Sequence, residues 1–206
     1  MKCWGCQAET EAKPFCPSCG RIAPRPPGAT HFDAFGLPRQ FELDASELER
    51  RYRELSLKLH PDRFARADPR ERRLSLEHTT ALNDAFQTLK DPVRRAFYLL
   101  KLHGIDLEKE DAGGSPKVPL DFLEEVMELR EELHRAREAA DVEKAQKMGE
   151  EVSAKQRQAL ATAATALSRA ERDPAALEEA SHQLTRVRYF GRFLEEVGAI
   201  EEEALS

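Results

Sequence analysis

Four thiols and one carboxylate are the groups in this chain best placed to do chemistry. The thiols come as two pairs, Cys3-x2-Cys6 and Cys16-x2-Cys19, separated by nine residues. A C-x2-C turn presents two thiolates to one ion, and two such turns close the tetrahedral shell that zinc requires. Four cysteines leave no open position for water, so the expected role is a structural Zn2+ held by Cys3, Cys6, Cys16 and Cys19. The same spacing also admits an iron–sulfur cluster. A disulfide pair suits a secreted chain, and the first twenty residues carry no secretory pattern. A thioredoxin-like redox site needs a βαβ context that is absent here. Gly5, Pro17 and Gly20 supply turn residues around the pairs, and a segment this short depends on its metal to fold.

The carboxylate belongs to His60-Pro61-Asp62. Pro61 disfavours helical geometry at His60 and stiffens the backbone there, so Asp62 sits in a turn between two helices. A carboxylate held there accepts charge-assisted hydrogen bonds from a partner's arginine. Read without a partner, the same three residues are a locally capped turn.

The elements that must position these groups are helices. Asp44 and Glu47 resemble a capping box, which starts a helix near Ala45. Its apolar stripe is Leu48, Tyr52, Leu55 and Leu59. Arg50 and Arg53 point away from that stripe while Arg51 and Lys58 flank it, giving a basic outer face with Leu57 exposed. Asp68-Pro69 opens a longer helix whose buried stripe is Leu74, His78, Ala81, Leu82, Ala85 and Leu89. Asp91-Pro92 opens another, closed at Gly104. Ahead of this hairpin, Arg25-Pro26-Pro27-Gly28 reads as a stiff linker that separates the cysteine module. Behind it, residues 105–119, with Gly113-Gly114-Ser115-Pro116, read as a second linker.

Three further helices are expected after it. The first runs from Leu120 to about Ala140, with Phe122, Val126, Leu129, Leu133, Ala136 and Ala140 as its core face. Leu120, Leu123 and Met127 form a second apolar stripe rimmed by Glu124, Glu128, Arg130 and Glu131, which suggests docking unless another helix covers it. The second helix spans Val142–Arg172, and Gly149 marks a bend or break in it. The third begins at Asp173-Pro174 and ends near Gly198.

Composition sets the bounds. The chain has 206 residues, 34% of them charged, with a net charge of −6, which argues against a basic nucleic-acid binder. The longest run without a charged residue is 11, Gln158–Ser168, too short to span a membrane. Charge is uneven: residues 39–104 carry a net of +3 and residues 105–206 a net of −10, a pattern of two modules with different partners. No phosphate loop, G-x-S-x-G or H-E-x-x-H occurs, so neither bound nucleotide nor enzymatic activity is expected. The fold class is all-α: a helical hairpin module at 29–104 and a three-helix bundle at 120–206, preceded by the knuckle at 1–28.

Particular blocks carry a family resemblance. His60-Pro61-Asp62 after a basic helix, followed by Asn83-Asp84-Ala85-Phe86 and Leu89-Lys90-Asp91-Pro92, resembles a J-domain. Phe35-Gly36-Leu37-Pro38, Arg94-Arg95-Ala96, Tyr98-Leu99-Leu100, Leu102-His103-Gly104 and Glu128-Leu129-Arg130-Glu131-Glu132-Leu133 resemble the HscB branch. The cysteine module is similar to that on mitochondrial relatives of HscB.

The resemblance implies a co-chaperone for iron–sulfur cluster maturation and transfer. It implies that His60, Pro61, Asp62, Arg50, Arg51, Arg53 and Lys58 engage an ATPase chaperone of the HscA or DnaK type and stimulate its ATP hydrolysis. It implies that Leu120, Leu123, Met127, Glu128, Arg130, Glu131 and Tyr189 bind an IscU-type iron–sulfur scaffold. Glu124 stands where the family often has an apolar residue. The competing readings are a thiol redox or cluster-binding protein built on the cysteines, and a general J-protein for unfolded clients. With a metal ligand already at residue 3 there is no room for a transit peptide, so bacterial cytoplasm is expected ahead of mitochondrial matrix.

Overall fold

The computed structural model describes residues 2–9, 13–107 and 119–205. They divide into two compact units, Met1–Arg95 and Ala96–Ser206. The expected linker lies mostly outside the described residues.

In the first unit, helix α1 spans His31–Phe35, α2 Ala45–Leu59 and α3 Pro69–Lys90, with a 3-10 turn at Pro61–Phe64 between the last two. Helix α4, Pro92–Leu102, begins in this unit, and the division falls within it. Short side chains fix the helix starts. Thr30 and Asp33 form a full capping box on α1, and Gly36 ends that helix in the left-handed region at φ 61. Asp44 caps α2 through the amides of Ser46 and Glu47, Asp68 caps α3 through Arg70, and Asp91 caps α4 through Val93 and Arg94. The Asp44 cap is only half of the expected box, because Glu47 turns to Arg50 and Arg51 instead. α2 and α3 pack together, and Tyr52 stacks on Phe86 at 4.1 Å while its hydroxyl donates to Asn83 at 3.0 Å.

The cysteine module belongs to this unit rather than standing off it. Ile22, Leu59 and Leu74 share one buried cluster, and His78 Nε2 donates to the Ala23 carbonyl at 2.7 Å. The Arg25–Gly28 segment therefore does not hold the module away from the hairpin.

In the second unit, α5 (Leu120–Glu138), α6 (Val142–Arg169) and α7 (Pro174–Ala204) pack pairwise into a three-helix bundle. Its core joins Phe122, Val126 and Leu133 of α5 to Ala145, Met148 and Val152 of α6 and Phe190, Phe193, Val197 and Ile200 of α7. Glu125 braces the three helices, reaching Lys155 at 2.5 Å and Arg186 at 3.3 Å, with the Arg186 guanidinium 4.3 Å above the Phe122 ring.

Three expectations about helix ends and bends need correction. Ala140 is exposed at φ 51 and lies past the end of α5, so it is no part of the core face. Gly149 neither bends nor breaks α6. It is buried where α7 crosses, and a Cβ there would meet Val197 Cγ1 at 3.1 Å. Gly198 does not end α7, which continues two turns further because Ile200 still has core to bury against.

Candidate functional site

The thiol cage is built by two tight turns. Gln7 N donates to Cys3 O and Gly20 N to Cys16 O, each at 2.9 Å, while Lys2 pairs with Glu9 and Phe15 with Ile22 across the mouths of the turns. The four Sγ atoms lie within 4.8 Å of one another, with Cys3–Cys19 and Cys6–Cys16 both at 3.7 Å. No disulfide joins them. A tetrahedral ion with thiolates about 2.3 Å away spaces those thiolates about 3.8 Å apart, so the residues present fit one metal ion. Crowding divides the thiols. Amides of Cys6 and Gly5 hold Cys3 down to about 6, and the Cys19 amide lowers Cys16. The Ala8 amide pulls Cys6 down, but Cys19, burial and the other thiols together drive it up to about 12. A bound dication removes that conflict by stabilising all four thiolates.

His60-Pro61-Asp62 forms the tip between α2 and α3. His60 Nδ1 accepts from the Asp62 amide at 3.3 Å, and Pro61 is the first residue of the 3-10 turn. The tip is thus locally capped, and the Asp62 side chain is 90% exposed, with one carboxylate oxygen 3.5 Å from His60 Nδ1. Beneath it the Leu59 carbonyl accepts from Ser75 Oγ at 2.6 Å and Thr79 Oγ1 at 3.1 Å. Ser75 and Thr79 position the tip and escape a reading by apolar period. The available signal was two hydroxyls four residues apart facing a helix C-terminus.

The basic face of α2 is less free than its sequence suggested. Arg50 binds Glu47 at 2.8 Å and Glu54 at 2.5 Å, and Arg53 binds Glu49 at 2.6 Å. Arg50 and then Arg51 hold the Glu47 carboxyl down to about 2. Arg51 turns inward: its Nη1 donates to the carbonyls of Phe35 at 2.7 Å and Gly36 at 3.0 Å. Lys58, with Arg63 and Arg66 beyond the tip, is exposed and has no ion pair among the described residues.

On α5 the second apolar stripe stays open. Leu120 is 77% exposed and Met127 63%, while Leu123 is half-buried. Glu124, Glu128 and Glu131 are exposed around them, and Arg130 pairs with Glu196 at 3.4 Å. Tyr189 of α7 is half-buried and meets Phe122 edge-on at 5.7 Å, so part of its ring serves the core.

Comparison with known proteins places these features in a family context. Residues 30–98 match the DnaJ domain, and residues 118–198 match the HSCB C-terminal oligomerisation domain. A co-chaperone protein HscB homolog of Vibrio cholerae is 40% identical over 176 residues, 85% of this chain and 98% of its own length. The human iron-sulfur cluster co-chaperone protein HscB is 33% identical over 201 residues, 95% of this chain and 80% of its own. The crystal structure of human co-chaperone protein HscB superposes with a TM-score of 0.81 at 32% identity, covering 97% of this chain and 98% of that one.

Proposed function

Since the chain belongs to the HscB family of J-domain co-chaperones, we propose that it binds an IscU-type iron–sulfur scaffold and stimulates ATP hydrolysis by an HscA/DnaK-type chaperone. The observation that carries this reading is the Asp62 carboxylate, 90% exposed on a turn that His60 caps. Ser75 and Thr79 anchor that turn from below. A rigid acceptor gives up little entropy on docking, so more of its charge-assisted bonding to a partner arginine appears as binding. Lys58 with its exposed neighbours draws in an acidic partner surface, and the ion-paired Arg50 and Arg53 contribute less. Pro61 keeps the turn closed between encounters.

For the scaffold, the support is the uncovered stripe of Leu120 and Met127 with half-buried Leu123, ringed by Glu128, Glu131 and Arg130, and Tyr189 extends it onto α7. Holding the scaffold on one unit and the chaperone on the other raises the effective concentration of cluster-bearing cargo at the ATPase. The four cysteines are assigned one Zn2+, which supplies folding free energy to a segment too small for its own core. The 3.7 Å sulfur separations favour a single ion over a polynuclear cluster, which spreads its thiolates wider. Unbridged thiols suit a reducing compartment, and bacterial cytoplasm is proposed with mitochondrial matrix as the alternative. No catalytic residue, bound nucleotide, nucleic acid or membrane enters this reading.

The test is Asp62→Asn. Helix content and thermal stability stay as in the parent chain, because the carboxylate is solvent-exposed, while stimulation of a matched ATPase is lost. Full stimulation by Asp62→Asn defeats the reading. An intact ATPase response with no selectivity for the iron–sulfur scaffold over unfolded polypeptides supports the general J-protein instead.

A further inference from the structure

The His60–Asp62 tip stands on a small core with walls from two parts of the chain. Leu59, immediately before His60, and Leu74 of α3 are each 2% exposed, and the third fully buried member is Ile22, three residues beyond Cys19. Phe64, two residues beyond Asp62, packs around these three together with Leu55, Trp4 and Phe15. Both ends of the tip therefore pack into one cluster, to which the cysteine module contributes Ile22, Trp4 and Phe15.

Those side chains are the ones the thiol cage orients. Trp4 lies between Cys3 and Cys6. Phe15 and Ile22 pair across the turn that holds Cys16 and Cys19, where Cys16 N donates to Arg21 O at 2.9 Å. Trp4 Nε1 donates to Ile22 O at 2.8 Å and so joins the two cysteine turns. Two guanidiniums lie over the indole, Arg21 at 4.9 Å and Arg70 at 4.8 Å, and Arg70 is the second residue of α3. A segment of this size has no core of its own, so Trp4 and Ile22 keep these places only while the cage is closed.

We propose that the four-cysteine module is a positioning element for the co-chaperone tip. The closed cage holds Trp4, Phe15 and Ile22 against Leu59 and Phe64, and so fixes the geometry in which Asp62 is offered. This rests on the functional reading of the tip given above. With the cage open, Leu59 keeps its bonds from Ser75 and Thr79, but the cluster on which Phe64 packs loses Ile22 and the rings of Trp4 and Phe15. The tip loosens on its Phe64 side while α2 and α3 persist. By linkage, a partner that favours the ordered tip also favours metal retention.

Hydrogen exchange on the full chain tests this, comparing the zinc-loaded protein, the chelator-stripped protein and a zinc-loaded Trp4→Ala variant. Trp4→Ala keeps all four cysteines, and metal analysis verifies its zinc, so it separates the wall from the ion. The expected result is exchange about ten-fold faster at amides 62–67 in both altered forms, with the α6 and α7 amides unchanged. Chaperone stimulation falls in parallel, and scaffold binding holds. Unaltered exchange at 62–67 in both forms overturns the proposal, whatever the ATPase does. Faster exchange in a protein whose loaded form never stimulates the ATPase supports the coupling and overturns the functional reading instead.

Discussion

Truncating Arg51 to alanine separates two jobs that a basic helix face can perform. Arg51 donates to the Phe35 and Gly36 carbonyls at the end of α1 and lies 2.6 Å from Glu47. Helix-end carbonyls lack partners within their own helix, so these two bonds satisfy groups that otherwise depend on water. The side chain is 33% exposed. Each bond then contributes about 1 kcal/mol, below the usual range for a charged donor because solvent screens it. The Glu47 pair adds little, since Glu47 keeps Arg50. The total is about 2 kcal/mol, which for a unit of this size lowers Tm by about 8–16 °C.

Lys58→Ala provides the contrast. Lys58 has no ion pair among the described residues, so its loss changes stability by less than about 0.5 kcal/mol. It weakens chaperone binding at low ionic strength, and the deficit shrinks as salt rises. Thermal unfolding and ATPase stimulation at two salt concentrations measure both variants. Well below its lowered Tm, Arg51→Ala still stimulates. An unchanged Tm with lost stimulation would show that Arg51 is a partner contact and refute the bracing argument.

Three other outcomes are expected. Leu120→Ala with Met127→Ala leaves urea unfolding unchanged, since both side chains are exposed, and weakens scaffold affinity by about 2–4 kcal/mol in titration calorimetry; intact affinity places the docking face elsewhere. Gly149→Ala gains about 1 kcal/mol of helix propensity but forces Val197 aside at a cost of about 1–3 kcal/mol. Added to Val197→Ala it becomes stabilising, and purely additive denaturation energies contradict the crossing argument. Burial holds the His78 imidazole below the usual histidine range, with the Ala23 carbonyl and Glu77 opposing and Arg25 reinforcing that shift. The unfolded chain therefore takes the extra proton first, so the contribution is complete above about pH 6.5 and declines as pH falls from there through the folded value. Urea midpoints at pH 7.5 and 5.5 change less in His78→Gln than in the parent, and equal changes reject the assignment.

Most helix starts were legible because they are local chemistry, although the Thr30 cap and the short α1 behind it were not read. Asp44, Asp68, Asp91 and Asp173 cap through their own side chains, three of them ahead of a proline. The ends at His60 and Gly104 were legible too, but that of α7 was not, because it depends on what else remains to be buried: Ile200 carries α7 past Gly198, and Val197 explains Gly149. The open stripe on α5 followed from periodicity, but its exposure depended on how α6 and α7 pack. The thiol cage followed from spacing alone. Its attachment to the hairpin did not, because Trp4, Phe15 and Ile22 sit in a segment with no helical or strand period to reveal a buried face.

The neutralised face of α2 has a different lesson. Glu47, Glu49 and Glu54 stood three or four residues from Arg50, Arg51 and Arg53 in the sequence, and such pairs meet on a helix. Counting cations overstated the free positive charge, whereas counting pairs would have left Lys58 and the arginines beyond the tip. The proposed contacts that the fold leaves most exposed are Asp62, Lys58, Leu120 and Met127. The turn that carries Asp62 is held at both ends, with the Leu59 carbonyl accepting from two hydroxyls and Phe64 packed on the cluster that Ile22 shares with Leu59 and Leu74. A partner that reads one carboxylate on a short turn reads its direction as much as its charge, so the supporting residues merit mutation alongside His60 and Asp62. Ser75→Ala is the sharpest case. It removes a buried 2.6 Å bond at a cost of about 1 kcal/mol, touches no exposed atom of the tip, and should still reduce stimulation at saturating co-chaperone. Full stimulation by Ser75→Ala would mean that the tip tolerates a loose base.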